Sequence, residues 1–165
     1  MRPLLIGEAP ARTTPVDWPS FYGRERSGRM LWDLGFRVAR HPEGVGNVDS
    51  INLLNEWPGR RWPAARAHDV AMSMKPALRK LDDVVLVGRN VANAFGALSW
   101  DWFEWFYLGE HGDGPRFAAM PHPSGLNRWW NSEVNRQRAR IWAVDLVSRT
   151  SNVVRGFRMP RRPEW

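Results

Sequence analysis

Residues His122 to Arg128 read His-Pro-Ser-Gly-Leu-Asn-Arg, a run of side chains suited to work on a polyanion. The His122 ring can donate a hydrogen bond near neutral pH. Arg128 offers a charge for phosphate, and Ser124 and Asn127 offer short polar contacts. Leu126 offers an apolar wedge. Chemistry on a base requires taking it out of the stack, and an apolar side chain on a firm turn can fill the gap left behind. The same stretch also contains what any turn needs, so its meaning depends on where the chain places it.

Its placement follows from the elements around it. Four short apolar runs read as strands: Pro3 to Gly7, Asp49 to Leu54, Val84 to Gly88 and Phe117 to Met120. Each is bounded by Gly, Pro or Asp, as buried parallel strands tend to be. Helical spacing lies between them. Leu31, Leu34 and Val38 share a face after the first run, and Val70, Met74, Leu78 and Leu81 share one after the second, with Pro76 a point for a kink. Val91, Ala94, Phe95 and Leu98 follow the third, with Asn90 near the cap position, and Trp130, Val134, Ile141 and Val144 follow the fourth. This alternation predicts a three-layer α/β/α sandwich around a central four-stranded parallel sheet. Right-handed crossovers then bring every strand's C-terminal end to one edge. Glu8-Ala-Pro, Asn52 to Pro58, Gly88-Arg-Asn and His122 to Arg128 meet there, where α/β sheets hold ligands. Ser99 to Leu108 is rich in aromatics and reads as a groove wall or, more simply, as a buried helix or hairpin.

Composition narrows the class. A chain of 165 residues with 43% hydrophobic content is one globular domain, here residues 1–148, followed by a basic tail at 149–165 carrying Arg149, Arg155, Arg158, Arg161 and Arg162. The net charge of +7 comes almost wholly from arginine, since Lys75 and Lys80 are the only lysines. A basic balance favours a polyanionic partner, although arginine-rich composition also follows from GC-rich coding. Eleven tryptophans must serve mainly as core or groove walls. The chain has no cysteine, which excludes disulfides and thiolate-held metal clusters. His41, His68, His111 and His122 lie too far apart in sequence to suggest metal ligands, so no metal and no cofactor is expected. No apolar run spans a bilayer, and the apolar stretch before Gly7 and Glu8 is too short for a signal peptide. A cytoplasmic monomer without membrane contact is expected.

Taken in order, the rim segments resemble the uracil-DNA glycosylase superfamily across roughly residues 4 to 130. Leu5-Ile-Gly-Glu-Ala-Pro10 resembles the Gly-Glu-Ala-Pro-Gly motif of the bacterial and archaeal family-4 branch. Phe21-Tyr22-Gly23-Arg24 is similar to its Pro-Phe-Val-Gly-Arg segment, and Asn52 to Pro58 has the spacing of its Asn-Val-Val-Lys-Cys-Arg-Pro stretch. Val85 to Ala92 resembles the strand and helix start that follow, and His122-Pro-Ser the last motif. The continuation Gly125 to Arg128 is closer to the Asn-Pro-Ser-Gly-Leu-Ser-Arg of the mismatch-specific branch. The departures matter too. The four cluster cysteines of the family-4 branch are missing, and Glu56 occupies the place of one of them. Ala11 replaces the last glycine of the first motif, and two extra residues precede Ser27-Gly28-Arg29.

The resemblance implies a role for each candidate. Glu8 would orient water or stabilise the positive charge developing on the sugar, and His122 would stabilise negative charge on the leaving base; these are the catalytic candidates. Phe21 or Tyr22 would stack on the extruded base, and Asn52 would read its edge, with Asn55 a weaker alternative. Ser124, Leu126, Asn127 and Arg128 would contact DNA. Each also has a plain structural reading as a cap, turn or loop anchor. No lysine stands in these motifs, so a monofunctional glycosylase using water is expected, leaving an abasic site at uracil or a modified pyrimidine. The alternatives are a glycosylase for a hypermodified or glycosylated base of phage DNA, a non-catalytic DNA-binding module on the same fold, and a small-nucleotide hydrolase, which Leu126 and the basic tail disfavour; a role in repair and one in phage defence both stay open.

Overall fold

The computed structural model describes residues 1–10, 21, 26–39, 46–97, 101–108, 114–124 and 126–155. Five strands and four helices alternate: β1 (Leu4–Gly7), α1 (Arg26–Asp33), β2 (Asp49–Asn52), α2 (Ala64–Leu78), β3 (Asp83–Val87), α3 (Arg89–Ala94), β4 (Trp105–Tyr107), β5 (Arg116–Met120) and α4 (Glu133–Arg155), with a short 3-10 helix at Arg128–Asn131. The strands form one sheet in the order β2-β1-β3-β5-β4. The first four are parallel, as their sequences predict. The fifth is an addition: Trp105 to Tyr107 pairs antiparallel with β5 at the edge, which resolves the aromatic segment in favour of a strand pair over a helix.

Burial explains the layers. Every residue of β3 is buried, because helices cover both faces. Ile6, Val84, Leu86, Phe117 and Ala119 pack against Ala67, Ala71 and Leu78 of α2 and Val91 and Ala94 of α3. On the other face Leu5, Val85, Val87 and Met120 pack against Leu31 of α1 and Ala139, Ala143 and Leu146 of α4. At the strand starts Arg116 donates from Nε and Nη2 to Oδ1 of the buried Asp83, at 3.0 and 2.7 Å, pinning β5 to β3. The Arg116 guanidinium also lies 4.8 Å from the Trp105 ring, and Trp105 stacks on Trp142 of α4.

Two sequence expectations are corrected, for Val38 and for the buried face of α4. Val38 is not on α1: the helix stops at Asp33, where Gly35 at φ 99° closes a left-handed cap with Phe36 N–H bonded to the Leu31 carbonyl. Val38 instead bridges Val48. Asn90, expected near the cap of α3, is its second helical residue, with Gly88 at the cap position. Val134, Ile141 and Val144 are exposed, and α4 faces the sheet with Ala139, Ala143 and Leu146. The layer between helix and sheet already holds Phe36, Phe103, Trp130 and Trp142, so only small side chains fit where the helix comes closest. The helix continues through Arg149 to Arg155, so the first part of the basic segment extends α4; residues 156–165 lie outside the described residues.

Candidate active site

The sheet order reverses between β1 and β3: from β1 the chain steps outward to β2, then crosses back to β3 and on to β5. The crevice at such a reversal, beyond the strands' C-terminal ends, is the expected ligand position. Backbone bonding continues past the strand ends and holds this edge together. Leu53 and Leu54 donate to the carbonyls of Gly7 and Glu8 at 2.8 and 3.0 Å, and Gly88 donates to Met120 at 2.8 Å.

Glu8 leaves β1 and His122 leaves β5, two strands away, with the end of β3 between them. Gly88 makes their approach possible. A Cβ on Gly88 would lie 3.0 Å from Glu8 Oε1 and 3.3 and 3.5 Å from His122 Cβ and Cδ2. The carboxylate and the imidazole thus flank one point where no side chain stands. Gly88 sits at φ 98°, ψ 154°, a region open essentially to glycine alone. Phe21, half-buried at φ 61°, packs its ring 5.9 Å from that of His122. Its partner candidate Tyr22 lies outside the described residues.

Burial works against the charged form of both groups. Burial raises the Glu8 carboxyl above the ordinary carboxylate range, and a hydrogen bond from the Asn90 side chain offsets part of that rise. Burial lowers His122, so at neutral pH its ring is an uncharged imidazole able to donate from one nitrogen. Asn90 belongs to the rim segment Gly88-Arg-Asn, but the sequence assigns it no role. Its motif position marks a helix start, and its contact with Glu8 exists only because β1 and β3 are neighbours in the sheet. If Glu8 acts as a carboxylate, Asn90→Ala should move the acidic limb of a kcat/KM profile to higher pH. The variant loses a bond that favours the charged form, so ionisation requires less acid. An unmoved limb would mean that Asn90 does not tune Glu8.

The loop after β5 is firmly braced. The His122 carbonyl accepts from Trp130 Nε1 at 2.8 Å and from Asn127 Nδ2 at 3.3 Å. Asn127 also caps the 3-10 helix by accepting from the Trp129 amide, so its side chain is committed to the loop's own backbone. The Ser124 carbonyl accepts from the Asn127 amide, closing the turn. Leu126 stands at its tip, 93% exposed, and Arg128 is exposed beside it. Asn52 ends β2, paired in register with Gly7. Among the described residues its carboxamide has no hydrogen-bond partner, leaving donor and acceptor free.

A carboxylate, an imidazole and an aromatic ring thus stand together at the switch point of an α/β/α sheet. The chain belongs to the uracil DNA glycosylase superfamily: the family described as "Uracil DNA glycosylase superfamily" matches residues 1–144. No curated protein shows a significant match to the chain. The superfamily is one of DNA glycosylases. With no cysteine in the sequence, the chain has no thiolates to hold an iron-sulfur cluster. No helix among the described residues is long and apolar enough to cross a membrane.

Proposed function

We propose that the protein is a monofunctional DNA glycosylase that extrudes a pyrimidine, uracil or a modified base, and hydrolyses its N-glycosidic bond. The observation that carries this reading is the pairing of Glu8 and His122 across Gly88. As the bond from C1′ to the base nitrogen breaks, its electron pair leaves with the base. The neutral His122 ring donates to the base carbonyl that gains negative charge. The Glu8 carboxylate stabilises the positive charge on the sugar and orients the water that bonds to C1′; the proton this water releases is balanced by protonation of the departing base at its freed nitrogen. Phe21 supports the base face, and the free Asn52 carboxamide reads its edge. The product is an abasic site. DNA is the partner, consistent with the net charge of +7, and the protein acts without a cofactor.

Incubation with oligonucleotides carrying a panel of modified pyrimidines, followed by alkaline cleavage, tests this reading. One or a few bases should give alkali-labile sites, and a panel without any would reject it. Leu126 gives a further expectation. A single exposed leucine needs no explanation, but one carried on the loop that is braced against the His122 carbonyl supports a role in filling the gap left by an extruded nucleotide. Leu126→Ala should therefore slow release from duplex far more than from single-stranded DNA. Equal slowing of both would remove the wedge role.

A further inference from the structure

The loop joining β2 to α2 has features that the site above does not use. It is anchored at both ends. Leu53 and Leu54 are buried and bonded to the Gly7 and Glu8 carbonyls, and Trp62 packs against the α2 side of the core. Glu56 accepts from Arg66 at 2.7 Å, tying the middle of the loop to the first turns of α2. Between these anchors Trp57 is 47% exposed, and Gly59 at φ 84° turns the chain so that Arg60 and Arg61 follow on the surface. Several other arginines are committed to carboxylates: Arg2 to Asp49, Arg116 to Asp83, Arg136 and Arg140 to Glu133, Arg149 to Asp145. Arg60 and Arg61 have no such partner among the described residues.

We propose that this loop is a second DNA contact, in which Trp57 stacks on an unpaired base beside the extruded nucleotide and Arg60 and Arg61 hold phosphates of the same strand. Reach supports the placement. Trp57 follows Leu54 by three residues, at most about 11 Å of chain, and Leu54 is bonded to Glu8 itself. The sheet order puts this loop on the opposite flank of the Glu8–Gly88 crevice from Leu126 and Arg128. Three strand spacings separate β2 from β5, roughly 14 Å, or about four nucleotides of a stacked strand. A strand crossing the edge is thus held on both sides of the extruded residue. An exposed indole supplies sequence-tolerant stacking, and two guanidiniums without an ion-pair partner among the described residues supply the charge.

The inference rests on the glycosylase reading, and one titration separates the two. The probe is a fluorescein-labelled single strand of about 20 nucleotides, bound by the full chain at salt concentrations between about 50 and 200 mM. Trp57→Ala should weaken binding by about 5- to 150-fold, and Trp57→Phe should restore most of it, because a phenyl ring still stacks. Arg60→Gln with Arg61→Gln should flatten the plot of log affinity against log salt by about 1.4 units of slope. Wild-type affinity and slope in these variants, with base release intact in the parent protein, would overturn the loop contact alone. Equal loss in Trp57→Ala and Trp57→Phe, tracking a fall in Tm, would make Trp57 a packing residue and also overturn it. A parent protein that binds no DNA would overturn both readings.

Discussion

Glu8→Gln is expected to slow base release by about 10²-fold or more while leaving DNA affinity within a few-fold of the parent protein. The substitution preserves shape and removes the charge. The group acts on charge that develops only as the glycosidic bond breaks, so the loss belongs in kcat and not in binding. His122→Ala should show the same pattern for the opposite charge, on the departing base. Single-turnover release and equilibrium binding, measured on one substrate, check both. Full release by Glu8→Gln would remove the carboxylate from the mechanism. A loss of affinity equal to the loss of rate would make it a binding residue.

Gly88→Ala carries the second large effect. Its backbone conformation is nearly closed to alanine, a strain of about 1–3 kcal/mol. The added methyl would also stand 3.0 Å from Glu8 Oε1 and 3.3 Å from His122 Cβ, so the two groups must separate to admit it. Tm should fall by several degrees, at about 2–4 °C per kcal/mol for a domain of this size. Base release should fall by more than the stability change explains, measured at a temperature where the variant stays folded. A variant with the parent Tm and full turnover would mean that the crevice tolerates a side chain, contrary to the geometry.

The parallel core of the fold was legible because its signal is local. Val84 to Val87 is an unbroken β-branched and aliphatic run, and such a run needs cover on both faces wherever it sits. The rim was legible for the same reason: once the strands were placed, Glu8, Asn52 and His122 had to share an edge. Features decided by distant neighbours were not legible. Trp105 to Tyr107 is too short to announce a strand, and only pairing with β5 makes it one. The buried face of α4 was hidden because Ala139 and Ala143 carry little hydrophobic signal, whereas the exposed Val134, Ile141 and Val144 carry much. Asn90 reads locally as a helix-start residue. Its bond to Glu8 joins two strands far apart in sequence, and periodicity does not encode that. Gly88 likewise reads as a turn glycine, and the lack of space around it emerges only when β1 and β5 close in from either side.

The central claim is that Glu8 and His122 break a bond between sugar and base with water as the incoming group. Intact-mass spectrometry of a substrate strand, taken before any alkali treatment, tests it most directly. The account predicts an unbroken strand lighter by one pyrimidine with a hydroxyl in its place, together with the free base, and both products formed about 10²-fold or more slowly by Glu8→Gln. A strand cut at the sugar by the protein itself, a mass left unchanged on every pyrimidine tried, or free base released equally by Glu8→Gln would contradict it.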